Sequence, residues 1–317
     1  MLPVPNRCVK QNRSRIHLCI VLSSPFVRAR IKVYLNHPLQ PVPRPLSFSA
    51  RRERCLKEFT ENPMTEYRWN YSEFAVAYDQ AAESVHPFYL ELQDAILREL
   101  SLPQGSEVLL VDMGGGSGRL IERALDKWPN SRGLVLDQSE PFLALAERRL
   151  ARFGSRASCV LARLQDEWRT HFPKPPAAII SMSAIHHLDP AEKQTFYLRC
   201  FDSLAPGGQL LNGDEVCANS SSEYLRTLQE WVAMWEAGIA SGSIPRSIHA
   251  ALRGWTERNV THFDQPKQSG DDCHETVDTQ LQYLRTAGFE EVKVIWQKKL
   301  WALLAAKKSV ASHLDLE

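Results

Sequence analysis

Residues 111–120, VDMGGGSGRL, place Gly114, Gly115, Gly116 and Gly118 between an apolar run and an amphipathic stretch. The preceding EVLLVDM reads as a short buried β-strand, and GRLIERALDKWP as a helix that stops at Pro129. Glycine carries no Cβ and accepts positive φ, so a strand that turns into a helix through glycines leaves its main chain open to close approach. Such a turn points to an α/β sheet that binds a ligand beyond the C-terminal end of a strand.

The remaining pattern repeats this unit. RGLVLD, SCVLAR, AAIISM and QLLNGDE read as four further strands. Between them, SEPFLALAERRLARFG forms a helix with Ser139 as N-cap and Gly154 past its end. DPAEKQTFYLRCFDSLAPGG has Asp189 and Glu192 at capping-box spacing and Pro190 at the first helical position. Upstream, Phe88, Leu92, Ala95, Ile96 and Leu100 recur at helical spacing, with Pro87 suited to the first helical position. Five alternations of strand and helix imply βαβ units, a parallel sheet and right-handed crossovers.

Bulk properties restrict the function. Residues 1–63 hold 12 Lys and Arg against 3 Asp and Glu, a net of +9; the remainder holds 26 against 34, a net of −8. An acidic body argues against nucleic acid as the partner and leaves any basic surface to the N-terminal segment. No apolar run is long enough to span a bilayer, so no membrane is expected. The seven cysteines show no CxxC and no paired framework, which fits reduced thiols in the cytoplasm and gives no metal-ligand spacing. Residues 1–63, rich in Pro and Arg without periodicity, read as an unpacked or non-native basic extension. A targeting segment is an open alternative, as is a natural start at Met64. The folded domain is expected over 64–308, with a tail at 309–317.

Two acids complete the glycine turn. Asp112 ends the first strand, and Asp137 ends the second, 19 residues after Gly118. A carboxylate after the second strand suits a ribose diol, so the ligand carries adenosine. The dinucleotide pattern G-x-G-x-x-G fails, because from Gly114 its third glycine falls on Arg119. The spacing D-x-G-x-G-x-G instead resembles motif I of the class I S-adenosylmethionine-dependent methyltransferases. LQDEW after strand three, IISMSAIHHL after strand four, SLAPGGQLLNGDE and the closing LQYLRTAGFEEVKVIWQKKLWALLAAKK are similar to that family's later segments, over roughly residues 70–308.

The resemblance implies a Rossmann-like, seven-stranded, mostly parallel sheet with the last strand antiparallel, helices on both faces and a helical cap insert around 223–266. It implies S-adenosyl-L-methionine as cofactor, bound through Asp112, Gly114, Gly116, Gly118, Asp137, Gln138, Gln165, Asp166 and Ser181. His186 and His187 are candidate catalytic bases, with structural packing as the alternative for each. Asp214 and Glu215 end strand five toward the expected pocket. In the insert, Leu228, Trp231, Val232 and Trp235 follow helical spacing, which suits core packing. A cap whose Trp231, Trp235 or Trp255 lines the acceptor pocket is the other reading, with Tyr67, Trp69 and Tyr71 near the opposite wall. The functional expectation is methyl transfer to a small molecule. An RNA or protein methyltransferase, or a cofactor-binding protein without turnover, are the alternatives. SMSA stands where base-amino methyltransferases carry a Pro-Pro signature.

Overall fold

The computed structural model describes residues 18–19, 32–33, 69–102, 105 and 107–310. The chain divides into two units, Met1–Phe59 and Thr60–Glu317. In the first, Leu18–Cys19 and Lys32–Val33 form a two-residue antiparallel ladder. The other expectations for 1–63 fall outside the described residues, as does that for most of the tail.

The second unit carries a seven-stranded sheet. Its strands are β1 (Leu109–Met113), β2 (Arg132–Asp137), β3 (Ala157–Leu161), β4 (Ala178–Met182), β5 (Gln209–Glu215), β6 (Glu290–Lys298) and β7 (Trp301–Lys307). They lie in the order β3-β2-β1-β4-β5-β7-β6. The first five are parallel, and β7 runs antiparallel to both β5 and β6. The chain reverses its direction of growth between β3 and β4, so β1 and β4 are the neighbours at the topological switch. A ligand crevice opens there.

Alternation along the strands sends residues to two cores. Leu110, Val135, Ile180 and Leu211 face α2 (Tyr89–Glu99), α3 (Arg119–Lys127) and α4 (Glu140–Leu150). Val111, Leu136, Ile179 and Leu210 face α5 (Pro190–Ser203) and α8 (Val277–Thr286). Two covered faces explain why the strands read as apolar runs rather than as alternating ones.

Local chemistry sets the helix ends. The Ser139 hydroxyl accepts from Phe142 N–H at 3.4 Å. Asp189 and Glu192 form the complete capping box, with Pro190 inside it. One boundary differs from expectation. α1 (Ser72–Val85) stops short of Pro87, and α2 begins only at Tyr89, because Phe88 adopts φ 65°. That conformation turns the chain and sets the Phe88 ring 5.8 Å from Trp296.

Within 223–266 lie most of α6 (Ser221–Ser241), α7 (His249–Thr256) and a π-helical turn at Glu257–Thr261. Trp231, Trp235 and Trp255 pack edge-to-face or tilted on one another, and Trp231 also meets Trp301. Both Trp231 and Trp235 donate their indole N–H to the Val85 carbonyl, at 3.0 and 2.7 Å. This knot fastens α6 to the end of α1.

Candidate functional site

A cavity of about 470 Å³ opens over the C-terminal ends of β1, β2 and β4. The glycine turn forms its floor, and Trp69, Tyr78, Asp79 and Ala82 form a wall on the side of α1. Trp231, Trp235 and Trp255 are not among its lining residues. The tryptophan stripe is therefore core, because its indoles are already spent on each other and on Val85. Tyr67 lies outside the described residues.

The glycines serve several purposes. Gly114 has φ 65°, and a Cβ there would stand 2.4 Å from the Ala184 Cβ. A Cβ on Gly115 would meet the Asp112 carboxyl at 2.7 Å. Gly118 does not line the cavity; it starts α3, and its missing Cβ makes room for Ala146 and Leu150 of α4. The turn's N–H groups are also occupied. Those of Gly114 and Gly115 donate to the Leu136 carbonyl, at 2.7 and 3.2 Å. Gly116 donates to Asp137 Oδ2 at 2.9 Å, and Gly118 to the Gly115 carbonyl at 2.9 Å. None of these four N–H groups is left to cradle a phosphate.

What the site offers instead is carboxylate. Asp112 is 1% exposed, and among the described residues neither of its oxygens has a hydrogen-bond partner of good geometry, with the Ile121 N–H exerting only a minor pull. Burial, with the field of Asp137 added, pushes its pKa up to about 7. Asp137 accepts from Gly116 and, at 2.8 Å, from Ser139 N–H. Burial raises its pKa too, against the pull of those N–H groups. Two buried acids beside a turn with no spare donors suit a cationic, hydroxyl-rich ligand and repel a pyrophosphate. A ligand with an ammonium group and a ribose fits both.

The other expected cofactor contacts divide. Gln138 and Gln165 line the cavity. Gln165 donates to Glu192 Oε1 and Ser269 Oγ, at 3.3 and 3.2 Å. Asp166 does not line it; its carboxylate accepts from Arg163 N–H at 2.8 Å and closes a turn. Ser181 is fully buried, and its hydroxyl donates to the Met113 carbonyl at 2.8 Å, tying β4 to β1.

The two histidines part company in the same way. His187 lines the cavity, with its ring 6.1 Å from Trp69. His186 turns away and is 3% exposed. Its Nδ1 bonds Asp214 Oδ1 at 2.7 Å, and its Nε2 lies 3.7 Å from Asp272. Burial opposes charge on His186, but the fields of Glu215 and Asp214, the hydrogen bond to Asp214 and the field of Asp272 outweigh it, raising its pKa to about 9. Asp214 and Glu215 are 1% and 3% exposed and point into this cluster rather than into the cavity.

Sequence reasoning missed the clamp on α1. Asp79 bonds Arg149 Nη2 at 2.9 Å, Arg119 Nε at 3.0 Å and the Ser117 hydroxyl. Arg149 also donates to the Ser117 carbonyl at 2.6 Å. Burial opposes the charge on Asp79, yet these partners hold its pKa below the ordinary value. The clamp joins a wall helix to the glycine turn 38 residues on and to α4 70 residues on, so no local spacing announces it.

Residues 110–208 match the model of a methyltransferase domain. Over that stretch the likeness is to the class I methyltransferase family. The chain is 35% identical over 107 residues, 34% of its length, to the 23S rRNA (guanine(748)-N(1))-methyltransferase of Streptomyces fradiae. The chain spans about a third, 33%, of that relative's length. Among solved structures, an O-methyltransferase family protein from Burkholderia thailandensis matches with a TM-score of 0.53 at 15% identity, over 83% of this chain and 70% of that one. An O-methyltransferase family 2 protein from Planctomyces limnophilus, complexed with apigenin, matches with a TM-score of 0.50 at 18% identity, over 75% and 62%. These two likenesses bear on the fold, whose strand order and antiparallel last strand are those expected of a Rossmann-like methyltransferase. No helix among the described residues is long and apolar enough to cross a membrane.

Proposed function

We propose that this domain transfers a methyl group from S-adenosylmethionine to a small organic acceptor. The observation that carries the reading is the Asp112 carboxylate, buried and without a partner at the floor of the cavity. S-adenosylmethionine supplies, when bound, a methyl group already activated on a sulfonium sulfur. The chain then needs to bind, align and exclude water rather than create a leaving group.

Asp112 would hold the ammonium group, which removes the penalty of an unpaired buried carboxylate. Asp137, held in place by two N–H groups, would accept from the ribose hydroxyls. Gln138 and Gln165 would border the nucleoside. Beyond them, Tyr78, Tyr89, Gln93 and Met182 line the space left for an acceptor. A half-enclosed, aromatic pocket of this size suits a small molecule, in keeping with the apigenin complex of the Planctomyces protein. His187 is the histidine placed to take a proton from the acceptor, because it lines the cavity and His186 does not. Cys159, Cys200, Cys217 and Cys273 are free thiols, which supports a reducing, cytoplasmic setting.

Calorimetry with S-adenosylhomocysteine, followed by an assay of its release with phenol, catechol and amine acceptors, tests this reading. Binding in the micromolar range and turnover with one acceptor class are expected. Displacement of S-adenosylhomocysteine by NAD+, or no binding at millimolar ligand, would sink it.

The likeness to an rRNA methyltransferase favours RNA as the second acceptor class. Residues 1–63, with their net of +9, would supply the docking arm. Under this reading a chain starting at Met64 loses affinity for an rRNA hairpin while keeping its affinity for S-adenosylhomocysteine. Unchanged RNA affinity after that truncation removes it.

A further inference from the structure

Behind the cavity wall, three segments distant in sequence bring their polar side chains together. They are the loop after β4 with His186, the end of β5 with Glu215, and the stretch before α8 with His274. One ligand atom from each lies within 4.8 Å of the other two. His274 Nε2 and Glu215 Oε2 are 3.0 Å apart. In a tetrahedral zinc site, with bonds of about 2.0–2.2 Å, neighbouring ligand atoms stand about 3.3 Å apart. This pair is joined by a hydrogen bond and needs to open by only about 0.3 Å to take an ion in place of the proton, and His186 needs to close by no more than about 1.5 Å to join it.

Both imidazoles are held from behind. His186 Nδ1 is fixed by Asp214 Oδ1 at 2.7 Å, and His274 Nδ1 by the Tyr224 hydroxyl. A metal-binding histidine nearly always anchors its second nitrogen in this manner, which fixes the ring and presents the other lone pair. Three carboxylates gather here: Asp214, Glu215 and Asp272 are each at most 4% exposed. The charged and titratable groups facing them include His186, His274, His187, His86, Lys267 and, 3.9 Å from Asp272, Arg258. A proton on an imidazole offsets one negative charge, and a divalent ion offsets two. A second cavity of about 230 Å³ reaches one of the three, His274, together with Tyr224, Asp272 and Glu275.

We propose that His186, Glu215 and His274 form a site for a divalent cation, with zinc the best match to two imidazoles and one carboxylate. Asp272, 3.7 Å from His186 Nε2, stands beside the remaining coordination position. The ion would pin the three segments together behind His187, so the cavity wall would owe its shape to the metal. This proposal is independent of the methyltransferase reading, since its test measures metal alone.

The test uses the full chain, without a histidine tag, stripped by dipicolinate. Zn2+ is titrated against a chromogenic chelator at neutral pH, and Co2+ absorption reports the ligand type. One equivalent is expected to bind ahead of the chelator, and Co2+ is expected to show tetrahedral bands without thiolate charge transfer. Glu215→Gln, which keeps side-chain size, and His274→Ala each lower affinity by at least about 100-fold, and Tyr224→Phe by about 10-fold. Urea midpoints of the stripped variants check that they fold; should His274→Ala not fold, Glu215→Gln decides. A stripped chain that fails to compete with the chelator overturns the proposal. So does binding that Glu215→Gln leaves unchanged, or a Co2+ spectrum with thiolate charge transfer.

Discussion

Replacing Asp112 by Asn should stabilise the ligand-free protein and at the same time disable it. The carboxyl has no hydrogen-bond partner of good geometry among the described residues, and burial with Asp137 nearby, against a minor pull from the Ile121 N–H, raises its pKa from 3.8 to about 7. The native state therefore keeps its proton after the unfolded state has lost it, so stability falls as pH rises from 3.8 to about 7 and then levels off. Each pKa unit corresponds to about 1.36 kcal/mol, so the shift costs about 4 kcal/mol at pH 8, about 3 at pH 6 and under about 1 at pH 4. Asn removes this titration and nearly preserves shape. Urea unfolding of both proteins at pH 4, 6 and 8 should show the variant's advantage growing across that range. The diagnostic is this growth, because the desolvation of the Asn amide adds a constant offset at every pH. Calorimetry should show the opposite order for S-adenosylhomocysteine, with affinity down by about 100-fold, the loss of one charged pair. A stability difference that stays flat with pH, or a variant that binds as tightly as the parent, would refute the assignment of Asp112 as an unpaired acid kept for a cation.

Gly114→Ala is expected to destabilise the domain by on the order of 3 kcal/mol by urea unfolding, since positive φ and a 2.4 Å approach to Ala184 act together; a change under about 1 kcal/mol would show that the turn can relax. Asp137→Ala should weaken S-adenosylhomocysteine by about 2–3 kcal/mol in calorimetry through lost charged hydrogen bonds, and unaltered affinity would count against the ribose assignment. Arg149→Met should cost about 2 kcal/mol near neutral pH, because it strips Asp79 of its strongest partner. Asp79 has a lowered pKa, so its contribution is present above 3.8 and is lost as pH falls through the folded value. The gap between parent and variant should accordingly narrow in acid, and a gap constant down to pH 2 would contradict the clamp.

The parts legible in the sequence were those governed by local periodicity and capping. QLLNGDE is β5 to the residue, and Asp189 with Glu192 caps α5 as its spacing implied. Phe88 escaped, because a left-handed aromatic residue between two helices follows from a tertiary contact with Trp296. At the site, Asp112 and Asp137 could be found because strand ends converge wherever a parallel sheet switches direction. Gly118, Asp166 and Ser181 matched the pattern yet face neighbouring chain, since a motif fixes positions along the backbone but not the direction a side chain takes. His186 and His187 are adjacent and look equivalent in sequence. The buried carboxylate of Asp214, contributed from β5, bonds His186 and draws it inward, while Asp272 lies within 4 Å of both rings.

The clamp at Asp79 has a kinetic consequence. The helix that walls the cavity is bolted by two guanidinium groups to the turn on which the nucleoside would rest. A guest entering or leaving past α1 has to loosen that bolt, whereas one already seated leaves it intact. Loosening the bolt, as Arg149→Met does, should therefore quicken both arrival and departure while altering their ratio little, so that residence time would answer to that substitution more than affinity does.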